Sequence, residues 1–122
     1  MYELNVESEF SAAHFLPDYS GACKRVHGHN WKIRLTVGAK KVDESGMAMD
    51  LADVRELLDT CLEPLDHQIL NEVTPFDQIT PTSENLARFI YEWIKKELPA
   101  HVRMIQVEVF ESDKFSVVYT EE

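Results

Sequence analysis

The sequence predicts an α+β fold, a four-stranded antiparallel sheet with two helices on one face, in the order ββααββ. Three observations carry that prediction. Apolar residues recur at every second position near both ends of the chain. They recur at every third or fourth position in the middle, and polar, glycine- and proline-containing stretches separate the two regimes. At 122 residues the chain is one ordinary domain, 1–122.

Each element follows from its residues. Tyr2, Leu4, Val6, Ser8 and Phe10 alternate with Glu3, Asn5, Glu7 and Glu9, which gives a strand with one dry face. Residues 16–28 hold Pro17, Asp18, Ser20, Gly21 and Gly28 and form a loop. Trp31, Ile33, Leu35 and Val37 alternate with Lys32, Arg34 and Thr36 in a second strand, followed by a polar loop over 40–49. Leu51, Val54, Leu58, Cys61, Leu62 and Leu65 lie on one helical stripe, with Asp50 as N-cap and Pro64 near the end. A third loop spans 71–82. A second amphipathic helix follows, carrying Leu86, Phe89, Ile90, Trp93 and Ile94, capped by Thr82 or Ser83 and stopped near Pro99. Ile105, Val107 and Val109, then Phe115, Val117 and Tyr119, make a closing hairpin around Ser112-Asp113-Lys114. A four-stranded sheet leaves two edges to be covered, and edge-to-edge association of subunits is one way to cover them.

Composition narrows the function classes. With 44% hydrophobic and 28% charged residues the chain has enough apolar surface for a core and is not a disordered segment. A net charge of −10 counts against a general nucleic-acid or membrane-surface binder. No apolar run approaches the roughly 18 residues of a membrane span, and residues 1–7 do not resemble a secretion signal, so the expectation is a cytoplasmic protein. Two cysteines make no disulfide framework. The acidic balance is uneven: from Tyr19 to Val42 there is no Asp or Glu, yet half the basic residues fall there. That window is either a solvated strand and loop or a local basic patch for an anionic small molecule.

Seven places hold residues to weigh for chemistry. His27 and His29 flank Gly28 and share the parity of Trp31, so both imidazoles point to one side. Such a pair alone also fits two unrelated histidines. His14 has the parity of Phe10, and pairing of the first two strands would bring it alongside. Three histidines leave a zinc ion one open position, as in catalytic sites. Cys23 lies beside Lys24 and Arg25, where positive charge and a nearby metal favour thiolate; otherwise it is a spare loop cysteine. Cys61, on the helix stripe, reads as a small buried hydrophobe. Asp66-His67 places a carboxylate beside an imidazole, a pairing that also arises by chance. Glu111 continues the parity of Val107 and Val109, which puts a carboxylate on the dry face unless the strand ends first. Thr82-Ser83-Glu84 fits a helix cap.

Taken together, His14, then Cys23-Lys24-Arg25-Val26-His27-Gly28-His29-Asn30-Trp31, Asp66-His67, Pro81-Thr82-Ser83-Glu84-Asn85 and Glu111 resemble the 6-pyruvoyltetrahydropterin synthase family in order over nearly the whole chain. The Cys-x3-His-Gly-His spacing is similar to the 6-carboxytetrahydropterin synthase branch, which serves queuosine and other 7-deazapurine pathways. The resemblance implies a tunnelling fold (T-fold), with subunits joined edge to edge in a homohexamer of two stacked trimers and active sites at subunit contacts. It implies that His14, His27 and His29 bind Zn2+, that Cys23 is the general base and that Asp66 and His67 relay protons. It further implies that Glu111 anchors a pterin ring, with Thr82 and Ser83 near it. Lys24 and Arg25 are candidates for the triphosphate, without a family pattern that fixes them. The implied activity is a zinc-dependent carbon-carbon lyase turning 7,8-dihydroneopterin triphosphate into 6-carboxytetrahydropterin, acetaldehyde and triphosphate. Two alternatives stand beside it: a pyruvoyl-type synthase that eliminates triphosphate but keeps the side chain, and a zinc-stabilised assembly module without catalysis.

Overall fold

A computed structural model describes residues 1–19 and 21–121; Ser20, assigned above to the first loop, lies outside the described residues. Seven elements follow in order: β1 (Tyr2–His14), β2 (His27–Ala39), α1 (Leu51–Leu62), β3 (Gln68–Ile69), α2 (Ser83–Glu97), β4 (Arg103–Phe110) and β5 (Ser116–Tyr119). The sheet order is β3-β1-β2-β4-β5. All neighbours are antiparallel except β1 and β3. No described helix is long and apolar enough to cross a membrane.

The α+β class and the two helices are as expected; the strand count is five, not four. The extra strand is two residues long and runs parallel to Ala12 and Ala13 of β1. Two residues have no readable period, so sequence pattern does not reveal it. His67, with φ of 59°, turns the chain into it and donates its backbone N–H to the Ser11 carbonyl.

The alternation holds where a face is buried. Val6, Phe10 and Ala12 on β1, Trp31, Ile33, Leu35 and Val37 on β2, and Val107 and Val109 on β4 form the core beneath the helices. From α1, Val54, Leu58, Cys61 and Leu62 close it, and from α2, Leu86, Ala87, Ile90, Tyr91 and Ile94. Full burial of one such aliphatic side chain contributes about 1.5–3 kcal/mol. Asp50 caps α1 by accepting from Ala52 N–H, and Thr82 caps α2 by accepting from Asn85 N–H. Both strands that bear histidines are longer than periodicity suggests: β1 runs on to His14, and β2 begins at His27 rather than Trp31.

Four apolar assignments change. Tyr2, at the start of β1, is exposed. Leu51, at the N-terminus of α1, is exposed, and so is Phe115. Ile105 leaves the core face, and Met104 takes its place: the β2–β4 register slips between Thr36 and Val37, so the pairs are Thr36 with Gln106 and Val37 with Met104. Ile105 is the unpaired residue of this bulge. Its side chain crosses Gly38, where an added Cβ would meet Ile105 Cδ1 at 2.6 Å.

Candidate metal centre

β1 and β2 pair along their full lengths, from Tyr2 opposite Ala39 to His14 opposite His27. That register brings the three histidines to one end of the sheet. Their rings lie edge to face, with centroids 4.6 Å apart for His14 and His27, 5.2 Å for His14 and His29, and 4.9 Å for His27 and His29. Glu111 follows β4 and reaches the same place. One ligand atom from each of His14, His27, His29 and Glu111 lies within 4.8 Å of all the others.

Backbone carbonyls fix two of the rings. His14 Nδ1 is 2.8 Å from the Pro81 carbonyl, and His27 Nδ1 is 2.7 Å from the Arg25 carbonyl. A carbonyl only accepts, so each Nδ1 carries the proton, and each neutral ring presents the Nε2 lone pair toward the cluster. Burial, the largest cause, holds His14 and His29 below the usual histidine pKa, which favours the neutral ligand form. Trp31 supports both rings, with its centroid 4.9 Å from His14 and 5.1 Å from His29, and its indole N–H donates to the Ala12 carbonyl.

The residues fit a metal. The Nε2 atoms of His14 and His29 are buried without a hydrogen-bond partner. Glu111 Oε1 is 3.1 Å from His29 Nε2 and 3.7 Å from His14 Nε2. The His29 contact is within ion-pair range, yet it lacks the alignment of a hydrogen bond and leaves the nitrogen unsatisfied. Orphaned buried nitrogens are costly in a protein interior. A cation with nitrogen and oxygen ligands would satisfy both nitrogens and the carboxylate. Glu111 therefore stands beside the three histidines.

The other candidates lie elsewhere in the chain. Cys23 sits half-buried in a 3-10 turn, Ala22–Lys24, and is not one of the four clustered ligand groups. Lys24 and Arg25 are exposed beside it and line a surface cavity with Gly21 and Ala22. Cys61 is buried, and burial pushes its thiol up to about 12. Thr82 is the α2 N-cap, and Ser83 is buried at the start of the helix. Asp66 and His67 pair with each other, Oδ2 to Nδ1 at 3.0 Å, and Asp66 Oδ1 accepts from Ser11 N–H at 3.0 Å. They are not part of the clustered group, and the His67 ring is 81% exposed. An open cavity of about 470 Å3, lined by Ser11, Gly28, His29, Asn30, His67 and Gln68 among others, connects the two regions.

Supporting residues that the motifs do not announce hold this geometry. Asn71 clamps the residue after His14, accepting from Phe15 N–H and donating to its carbonyl. Asn85 donates to the Thr80 carbonyl at 2.8 Å and so braces the turn that presents the Pro81 carbonyl. Backbone acceptors have no residue type, so only the Pro81–Asn85 run hinted at this turn.

Known proteins resemble the chain over most of its length. Residues 3–122 match the family model described as 6-pyruvoyl tetrahydropterin synthase. The human 6-pyruvoyl tetrahydrobiopterin synthase is 36% identical over 124 residues, covering 90% of this chain and 85% of that one. The Bacillus subtilis 6-carboxy-5,6,7,8-tetrahydropterin synthase is 35% identical over 102 residues, covering 80% and 68%. Among solved structures, the 6-pyruvoyl tetrahydropterin synthase of Caenorhabditis elegans superposes with a TM-score of 0.84 at 28% identity, over 99% of this chain and 96% of that one.

Proposed function

The chain belongs to the 6-pyruvoyl tetrahydropterin synthase family, and on that premise we propose that it is a zinc-dependent lyase. The reaction takes 7,8-dihydroneopterin triphosphate and water to 6-carboxytetrahydropterin, acetaldehyde and triphosphate, in the cytoplasm, for queuosine or another 7-deazapurine. The observation that carries the reading is the pair of buried, unpartnered Nε2 atoms of His14 and His29 beside Glu111. The Cys-x3-His-Gly-His spacing favours the 6-carboxy product.

In this reading His14, His27 and His29 hold Zn2+, with the Nδ1 protons of His14 and His27 kept on the Pro81 and Arg25 carbonyls. The ion supplies Lewis-acid polarisation of the substrate's side-chain oxygens when bound. Cys23 takes the proton as general base. His67, oriented by Asp66, exchanges protons with the substrate. The exposure of His67 suits a role at a subunit contact, where a neighbouring chain completes the site. Glu111 accepts the amino and ring N–H donors of the pterin, with Thr82 and Ser83 near the ring, and Lys24 and Arg25 meet the triphosphate. Residues 1–122 act as one domain of a homohexamer built as a dimer of trimers. The open edges support this: β3 covers only Ala12 and Ala13 of β1, and β5 ends the other side.

Incubation of the zinc-loaded protein with 7,8-dihydroneopterin triphosphate tests the reading. Acetaldehyde in step with triphosphate is the expected result. Triphosphate without acetaldehyde would mean the pyruvoyl-type reaction, and neither product would leave an assembly module.

A further inference from the structure

We propose that Phe115 provides an aromatic face on which the flat ring of the substrate stacks, next to the carboxylate of Glu111; the proposal rests on the pterin reading above. Phe115 is 71% exposed, more than any other large hydrophobic side chain among the described residues. An isolated exposed aromatic needs no explanation, but this one has a defined place.

The Glu111 N–H donates to the Phe115 carbonyl at 3.1 Å, and the next pair of the ladder is Phe110 with Ser116. Glu111 and Phe115 thus face each other across the mouth of the β4–β5 turn. The alternation tells which side each takes. On β5, Tyr119 packs against Tyr91 of α2, and Val117 pairs with the buried Val109. Phe115 continues that series toward the helix side. Glu111 continues Val107 and Val109 to the same side, where it meets His29.

Directly opposed residues on one face of an antiparallel pair have Cβ atoms about 4.5–5.5 Å apart, and aromatic rings associate at centroid distances of roughly 4.5–7 Å. A carboxylate grips a planar heterocycle by its edge, through parallel N–H donors in the plane of the ring. That contact leaves the two broad faces of the ring to be covered. The side chain opposite Glu111 is an exposed phenyl ring, placed by the backbone pairing to cover one of them. A planar heteroaromatic with a donor edge is the ligand class that uses both residues at once.

The test is equilibrium binding of neopterin, a fluorescent pterin without triphosphate, to the zinc-loaded wild type, Phe115→Ala and Phe115→Trp. Phe115→Ala is expected to weaken binding about 5- to 20-fold, with zinc content and oligomer size unchanged. Phe115→Trp is expected to keep the affinity and to add an indole emission that the bound pterin quenches. Wild-type affinity in Phe115→Ala overturns the stacking role. So does weaker binding that coincides with loss of the assembly, since Phe115 would then be a contact between copies. If the wild type binds zinc but no pterin, the pterin reading itself fails, and the stacking role with it.

Discussion

Glu111 Oε1 lies 3.1 Å from His29 Nε2, close enough to pair but out of line for a hydrogen bond. The carboxylate therefore has two available roles at one location: a fourth metal ligand, or an anchor for a donor edge beside the metal. Glu111→Gln separates them, because an amide oxygen is a weak zinc ligand and cannot accept two parallel donors. The expected result is a 10- to 100-fold loss of pterin affinity, about 1.4–3 kcal/mol for a charge-assisted pair. Metal affinity should fall by less than about 10-fold. Titration of both ligands on the same variant decides it; loss of metal comparable to a histidine deletion would make Glu111 a ligand.

Zinc should copurify at about one ion per chain. His27→Ala removes a proposed ligand whose ring is tied to the Arg25 carbonyl on a partly exposed edge, outside the core. Metal content should fall toward zero while the circular dichroism of the protein stays native. Metal analysis after gel filtration checks this, and full occupancy in the variant would remove His27 from the ligand set.

The two cysteines should differ sharply. Cys61 lies in the core, and its thiol is pushed up to about 12 by burial, so it has almost no thiolate at pH 8. Cys23 is half-buried on a surface turn beside Lys24 and Arg25. Mild iodoacetamide treatment should modify Cys23 first and stop turnover with zinc retained. Peptide mapping that finds Cys61 labelled first, or a fully active Cys23→Ala variant, would refute the assignment.

The sequence made the outline legible because burial imposes periods. The β1–β2 register follows from two long alternating runs, and it alone predicts His14 beside His27. The parity of Glu111 likewise points to the dry face of the sheet, though not to contact with the histidines. What escaped has no side-chain pattern. The Ile105 bulge shifts the buried parity from Val107 and Val109 to Met104 and Val102, and β3 is too short to have a period. The carbonyls of Pro81 and Arg25 act as backbone atoms, whatever their residue type. Asp66 and His67 were grouped with the site by resemblance, yet within one chain they pair with each other and with Ser11.

That last pairing gives a pH signature. Asp66 is held below the ordinary carboxylate range, chiefly by the Ser11 N–H and next by His67. A depressed folded pKa means that the stabilisation is complete above the unfolded value of about 3.9 and is lost as pH falls through the lower folded value. Asp66→Asn should therefore melt below wild type at pH 7, and the gap should close as pH is lowered below about 4. Thermal melts across that range check the sign; a gap that widens in acid would contradict it.

Asn85 should act on the metal from a distance. Its side-chain N–H donates to the Thr80 carbonyl, while its backbone N–H completes the Thr82 cap. Together these bonds fix residues 80–82, and the Pro81 carbonyl between them holds His14 Nδ1 at 2.8 Å. Asn85→Ala removes only the side-chain bond, because the backbone cap persists. Stability should drop by about 1 kcal/mol, the usual net value of one hydrogen bond. Metal affinity should drop about 10- to 100-fold, as is typical when the partner of a ligating imidazole is loosened. The two effects are separable: chelator competition reads the metal, and melting of the metal-free protein reads the fold. A variant that is less stable but binds zinc as tightly as wild type would show that the turn does not govern His14. A cap variant, Thr82→Ala, is the control. It costs about the same stability but leaves the Asn85–Thr80 bond in place, so its metal affinity should fall less than that of Asn85→Ala.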